Sequence, residues 1–188
     1  MIKIIDNFLV QAYFDEIKNK VESNYFPWFY SRDVTGYDKE NNNIKDPLIL
    51  SKNGFSHSVL ENNNINSEKY FLLFSGFFGQ LLDATNCSSV VRCRLDMTIF
   101  SPLKVMHTPH TDLDIPHTTA ILYLTNSDAK TIVYNEKGPC ENIPKILTIK
   151  DEIIPKENRL VFFDGLYIHT GFSPSEYKDR ILINVNLT

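Results

Sequence analysis

Cysteine is scarce, and its spacing suits none of its usual structural roles. The three cysteines, Cys87, Cys93 and Cys140, are odd in number and include no Cys-x-x-Cys pair. This argues against a disulfide framework and against a thiolate zinc site, and reduced thiols are expected. Basic charge is not in excess either. Nineteen Lys and Arg against 23 Asp and Glu give a formal net charge of −4, without the basic footprint that binding a phosphate backbone requires, so nucleic acid is not an expected partner. Long apolar runs are also missing. Lys3 and Asp6 interrupt the apolar start, no small-residue cleavage pattern follows, and no stretch is long enough to span a bilayer. The expectation is a cytoplasmic protein with no membrane association.

The chain does have enough material for a sizeable core. With 188 residues, 43% of them hydrophobic, a single domain is expected. Ile2 to Leu9 reads as a strand entering a helix on which Tyr13, Ile17 and Val21 recur at helical spacing. Asn41 to Asn43 and Asn62 to Asn64 read as loops. Ser67 is a candidate N-cap for one long helix from Glu68 to Ala84, apolar on most sides. From Val90 the period changes to two: Val91, Cys93, Leu95, Met97 and Ile99 alternate with Arg92, Arg94, Asp96, Thr98 and Phe100. The polar face is either a solvated edge or the lining of a cavity inside a barrel, in which case Arg94 and Asp96 are candidate substrate contacts. Further strands are expected at Thr118 to Thr125, Thr131 to Tyr134, Lys145 to Ile149, Arg159 to Phe163 and Arg180 to Leu187. Helices first and many short strands afterwards describe a mainly β core with helical support.

The chemistry concentrates in Pro109-His110-Thr111-Asp112. Side chains at i and i+2 of extended backbone project to one side, so His110 and Asp112 can offer an imidazole and a carboxylate to one ion. His169, 57 positions beyond Asp112 (169 − 112), is a candidate third ligand that only a closed or sandwiched sheet brings back. Two imidazoles and a carboxylate suit iron(II) and leave positions open for a cosubstrate and O2. The stretch is crowded, since His107, Asp114 and His117 lie in it as well. A zinc site of His107 and His110 with a carboxylate is the alternative. His107 and His117 are otherwise groups behind the ligands, substrate contacts or surface residues, and Asp114 is a solvated loop residue.

The ordered segments Pro109-His110-Thr111-Asp112, Thr118 to Asn126 and Asp164-Gly165-Leu166-Tyr167-Ile168-His169-Thr170-Gly171, followed by Arg180, resemble the iron(II)- and 2-oxoglutarate-dependent dioxygenases of the prolyl-4-hydroxylase-like type. The resemblance covers the second half of the chain. It implies a double-stranded β-helix (jelly-roll, cupin-like, α+β), with helical support over about 1–88 and the jelly-roll core over about 89–188. It also implies that His110, Asp112 and His169 hold iron(II), to which 2-oxoglutarate and O2 bind, with ascorbate a candidate accessory reductant. Arg180, 11 residues after His169 (180 − 169), matches the family's anchor for the distal carboxylate of 2-oxoglutarate, a task suited to a guanidinium fork. Tyr123 matches a tyrosine that reaches the same carboxylate.

Strand parity sets Arg180, Leu182, Asn184 and Asn186 on one face, so Asn186 is a further pocket candidate. Ile121, Val161 and Phe163 are candidates for the pocket's dry side. The implied reaction is decarboxylation of 2-oxoglutarate to succinate and CO2, coupled to hydroxylation of a C–H bond in a peptide, protein or small-molecule substrate. Asn126 to Thr131 replaces the longer glycine-rich turn of the better-known prolyl hydroxylases, which leaves the substrate open. A zinc-dependent hydrolase and a non-catalytic jelly-roll binding module are the competing readings.

Overall fold

The alternating patterns of the second half pair into two antiparallel sheets, seen in a computed structural model that describes residues 1–32, 34, 53–139 and 143–188. The Asn41 to Asn43 loop and Cys140 lie outside the described residues. The main sheet holds β1 (Lys3–Ile5), β9 (Arg159–Asp164), β6 (Thr118–Tyr123), β11 (Asp179–Leu187), β5 (Val90–Ile99), β3 (Gly54–Glu61) and β2 (Phe29–Ser31), in that spatial order, with β4 (Asn64–Ile65) paired to β3. The smaller sheet runs β10 (Tyr167–Thr170), β7 (Thr131–Lys137), β8 (Ile149–Ile153).

One face of the main sheet meets the small sheet through Ile121, Tyr123, Val161, Phe163 and Leu182 against Val133 and Ile153. The other face is covered by α1 (Gln11–Val21), α2 (Glu68–Leu73) and α3 (Ser75–Thr85), whose Phe14, Ile17, Tyr70, Phe74, Phe77 and Leu81 pack on Cys93, Leu95, Leu122, Ile183 and Val185. This is the mainly β jelly-roll with supporting helices that the sequence implied. Among the described residues no helix is long and apolar enough to cross a membrane.

Three local departures have physical causes. The long helix expected from Glu68 is two helices, broken at Phe74 (φ −90°, ψ 1°). The Tyr13 hydroxyl inserts there, donating to the Leu73 carbonyl at 2.6 Å and accepting from the Phe77 N–H at 3.1 Å. Gly76 leaves the room, because a Cβ there would sit 3.2 Å from that hydroxyl, so an inserted side chain explains the break. Ser67 occupies the N-cap position in extended backbone, but its side chain makes no capping hydrogen bond.

The strand expected over Lys145 to Ile149 begins only at Ile149, where pairing with β7 starts at Tyr134. Before it, Glu136 takes both the N–H (2.9 Å) and the hydroxyl (2.7 Å) of Thr148, and the approach is irregular backbone. The first half also contributes more than helices. β3 pairs with β5 from Gly54↔Thr98 to Glu61↔Arg92 and so forms part of the wall that carries Arg94 and Asp96.

Asn158 ties the N-terminal segment to the sheet. It adopts a left-handed backbone (φ 57°) and is almost fully buried. Its side chain accepts the Leu9 N–H at 2.9 Å and donates to the Leu9 carbonyl at 2.8 Å. Asn158→Ala loses both bonds and puts alanine, which tolerates left-handed backbone less well than asparagine, at positive φ, so a loss of about 2–4 kcal/mol is expected. Asn158→Gly removes only the bonds and should recover about 1 kcal/mol of that loss. Urea-unfolding midpoints of the two variants check this, and an alanine variant as stable as the wild type would contradict it.

Candidate metal centre

His110 and His169 are directly opposite residues of an antiparallel pair that bridges the loop before β6 and β10. Each donates its backbone N–H to the other's carbonyl at 2.9 Å, so their side chains leave on the same side. Asp112, two residues on, joins them, and one ligand atom from each of the three lies within 4.8 Å of the others. Among the described residues this is the group of three that could hold a metal ion, and His107 is not part of it. His107 instead contacts the Ser173 hydroxyl at 3.1 Å on a buried cavity wall.

The imidazoles are prepared as ligands. His110 Nδ1 lies 2.9 Å from the Thr108 carbonyl and His169 Nδ1 lies 3.1 Å from the Tyr167 carbonyl. A carbonyl only accepts, so both Nδ1 atoms carry hydrogen and both Nε2 atoms carry the lone pair. Those Nε2 atoms face Asp112 at 3.9 Å and 3.7 Å. Burial, reinforced by the neighbouring His169, pushes the His110 pKa down to about 4 and favours the neutral ligand form.

Burial would raise the Asp112 carboxyl. The neighbouring His169, Arg92 and His110 side chains, together with the Asn186 amide, outweigh it and hold Asp112 well below the usual carboxylate range. Four side chains donate to this carboxylate: Asn186 at 2.9 Å, Thr119 at 3.0 Å, Asn184 at 3.2 Å and Arg92 at 3.5 Å.

Beside the triad opens a cavity lined by His110, His169, Ile121, Leu182 and Asn184 near the ligands and by Thr131, Gly171 and Arg180 beyond them. Its volume of about 60 Å³ has room, on the same measure, for about four waters, which suits a small polar ligand. Arg180 is 5% exposed, yet among the described residues no carboxylate lies within ion-pair distance of it. Its Nη2 donates to Thr131 Oγ1 at 2.6 Å, while its buried Nε has no hydrogen-bond partner. Burial pulls the guanidinium's pKa down, the signature of a desolvated cation that an anion would stabilise. Gly171 lets the guanidinium lie close, since a Cβ there would meet Nη1 at 3.2 Å. The donor set and this buried cation fit iron(II) with a dicarboxylate cosubstrate.

The other sequence candidates divide. Arg94 and Asp96 do line the cavity, as a pair with Nη2 to Oδ2 at 3.1 Å and Nε to Oδ1 at 2.7 Å. The second contact is short but misaligned, and both its atoms keep hydrogen-bonding capacity. Tyr123 lies behind Arg180, with its hydroxyl 2.7 Å from Thr131 Oγ1 and its ring 5.5 Å from the guanidinium carbon. Asn186 lies behind Asp112, and His117 lies behind Thr119 at 3.2 Å. Of the dry-side candidates, Ile121 reaches the cavity, while Phe163 packs its ring on His169 at 5.3 Å. Sequence reasoning missed Thr119, Thr131 and Arg92. Strand parity with Ile121, Val133 and Arg94 places each on the site face, and that was the signal available.

This jelly-roll with a His-Asp-His site has solved counterparts. No family model and no curated protein matches the chain. In structure the chain is similar to an oxidoreductase of the 2OG-Fe(II) oxygenase family from Burkholderia pseudomallei (TM-score 0.65, 9% identity, covering 100% of this chain and 85% of that one). It is similar to a prolyl hydroxylase from Trichoplax adhaerens in complex with a hypoxia inducible factor oxygen degradation domain peptide fragment (0.64, 17%, 99% and 82%). HygX from Streptomyces hygroscopicus, with nickel and 2-oxoglutarate bound, matches at 0.61, 10%, 99% and 82%. The fold is that of the 2-oxoglutarate oxygenases.

The depressed His110 pKa makes the metal-free protein acid-sensitive. The unfolded chain binds a proton near pH 6.5 and the folded state only near pH 4. Stability is therefore full above pH 6.5 and falls as pH drops toward 4. In EDTA, wild type should lose about 2–3 kcal/mol more than His110→Gln across this window. Denaturant midpoints at pH 7 and pH 4.5 measure the difference, and equal pH slopes would refute it.

Proposed function

We propose that the chain is a non-haem iron(II)- and 2-oxoglutarate-dependent oxygenase that hydroxylates a C–H bond of a peptide, protein or small-molecule substrate. The observation that carries this reading is the pairing of the His110, Asp112 and His169 triad with a buried Arg180 that has no carboxylate partner among the described residues, across one small cavity. The fold shared with 2-oxoglutarate oxygenases supports it, and the peptide bound to the Trichoplax neighbour supports a peptide or protein substrate.

In this reading the two imidazoles and the carboxylate would hold the metal, a donor set that suits iron(II). Arg180, steadied by Thr131 and backed by Tyr123, grips the distal carboxylate of 2-oxoglutarate. Ile121 and Leu182 keep water from the space between. Arg94 and Asp96 meet the substrate from β5, beside Asn184 and Leu182 of β11. Iron and 2-oxoglutarate, when bound, supply the oxidising chemistry through O2 and release succinate and CO2, while the protein binds, orients and shields. The same three ligands also suit zinc, and a zinc hydrolase would ignore 2-oxoglutarate.

Protein loaded anaerobically with iron(II), then given 2-oxoglutarate and O2, should form succinate slowly even without its substrate. His110→Ala should abolish that turnover by removing a ligand. Arg180→Ala should reduce it at least about 100-fold, with weaker 2-oxoglutarate binding, because one strong charge-assisted anchor is lost. Absence of both succinate and 2-oxoglutarate binding in the wild type would defeat the oxygenase reading.

A further inference from the structure

The hydrogen bonds behind Asp112 converge on one hydroxyl, that of Thr119. The Thr119 hydroxyl lies 3.0 Å from Asp112 Oδ2 and 3.2 Å from His117 Nε2. Asn186 Nδ2 donates into the same hydroxyl oxygen at 3.3 Å and also to Asp112 Oδ2 at 2.9 Å. Thr119 has a single hydrogen to give. The far side of the imidazole is fixed, because His117 Nδ1 lies 2.7 Å from the Ile115 carbonyl, which can only accept. If Nε2 is bare, it competes with Asp112 for the Thr119 hydrogen. If Nε2 carries hydrogen, it donates to Thr119 and releases that hydrogen to Asp112. In both cases the imidazole helps to orient the Thr119 hydroxyl.

We propose that His117 is a positioning residue for the metal centre, acting on the carboxylate of Asp112 through the Thr119 hydroxyl. The proposal rests on the metal reading of His110, Asp112 and His169. Its physical basis is that partners behind a ligand fix the ligand's orientation and its donor strength.

Two further observations support the arm. His117 takes no part in the wall of the cosubstrate cavity. It lines a separate cleft with Cys87, Pro116, Phe162 and Leu166, so Thr119 is its hydrogen-bonded route to the metal ligands. The imidazole is also held in register by Gly165. That residue donates its N–H to the His117 carbonyl at 2.8 Å, and a Cβ on it would lie 2.1 Å from Nε2. Any other residue at 165 displaces the ring from Thr119.

Cobalt(II) is the probe, titrated anaerobically into the metal-free full chain and followed by its d–d absorption, which reads affinity and ligand geometry without turnover. Thr119→Val should weaken cobalt binding about 10- to 100-fold and alter the spectrum. Thr119→Ser should restore both. His117→Leu and Gly165→Ala, which leave the Thr119 hydroxyl free to turn, should both shift the cobalt spectrum and weaken binding, by less than Thr119→Val, and His117→Gln, whose amide can donate to Thr119, should bind like the wild type. Because the effect of His117 runs through Thr119, the double variant His117→Leu/Thr119→Val should bind no worse than Thr119→Val alone.

Wild-type affinity and spectrum in His117→Leu, or additive losses in the double variant, would overturn the positioning role while leaving the metal centre intact. A wild-type protein that binds no cobalt would overturn both this inference and the oxygenase reading. Gly165→Ala tests the same link with the imidazole retained, so a folding defect in His117→Leu does not decide the matter.

Discussion

Two backbone hydrogen bonds between His110 and His169 are the constraint on which the site depends. They join the loop before β6 to β10, and so join residues of very different sequence position at one antiparallel pair. The pair sets both imidazoles on one side, and the two-residue period then brings Asp112 to the same side. Everything else adjusts the chemistry of that arrangement. The Thr108 and Tyr167 carbonyls fix the tautomers, the donors around Asp112 hold its charge, and Arg180 waits across the cavity as a buried cation.

Arg180 has no acidic partner among the described residues; such a buried guanidinium lowers stability, and Thr131 and the Tyr123 ring compensate it only in part. Arg94 shows the contrast within the same cavity. Burial works against its charge too, but Asp96 overcomes it and raises the Arg94 pKa. One arginine has its charge paired within the protein and the other has its charge left to a ligand. That difference, in two side chains on neighbouring strands of one sheet, is what gives the cavity a direction.

The part of this legible in the sequence was the part governed by short periods. Alternation in β5 and β11 located the inward faces that carry Arg94, Asp96, Arg180 and Asn184, and His-x-Asp spacing located two of the ligands. What escaped depended on partners far along the chain. The helix break at Phe74 is made by Tyr13, whose hydroxyl bonds the Leu73 carbonyl 60 residues on. β3 was not read because Ser56, His57 and Ser58 interrupt its apolar pattern, although His57 is buried against Phe26 and Tyr70. β8 began later than its residues suggested because β7 sets its register. Thr119 and Thr131 were missed because a threonine in a strand is ordinary until its hydroxyl's neighbours are known.

The position of β11 has a consequence for how the molecule assembles. It is the last strand in the chain order, yet it lies between β6 and β5 in the middle of the main sheet. Until it is made, β5 and β6 each present an unpaired edge, and the sheet has a slot where its centre should be. The first strand shows the same delay, since β1 pairs with β9 across most of the chain's length. Synthesis from the N-terminus therefore cannot complete the sheet strand by strand. Closure, and with it the meeting of Arg180 with the rest of the cavity, is a late and concerted event dominated by distant contacts, the regime in which folding is slow and a partly made chain is most exposed to association.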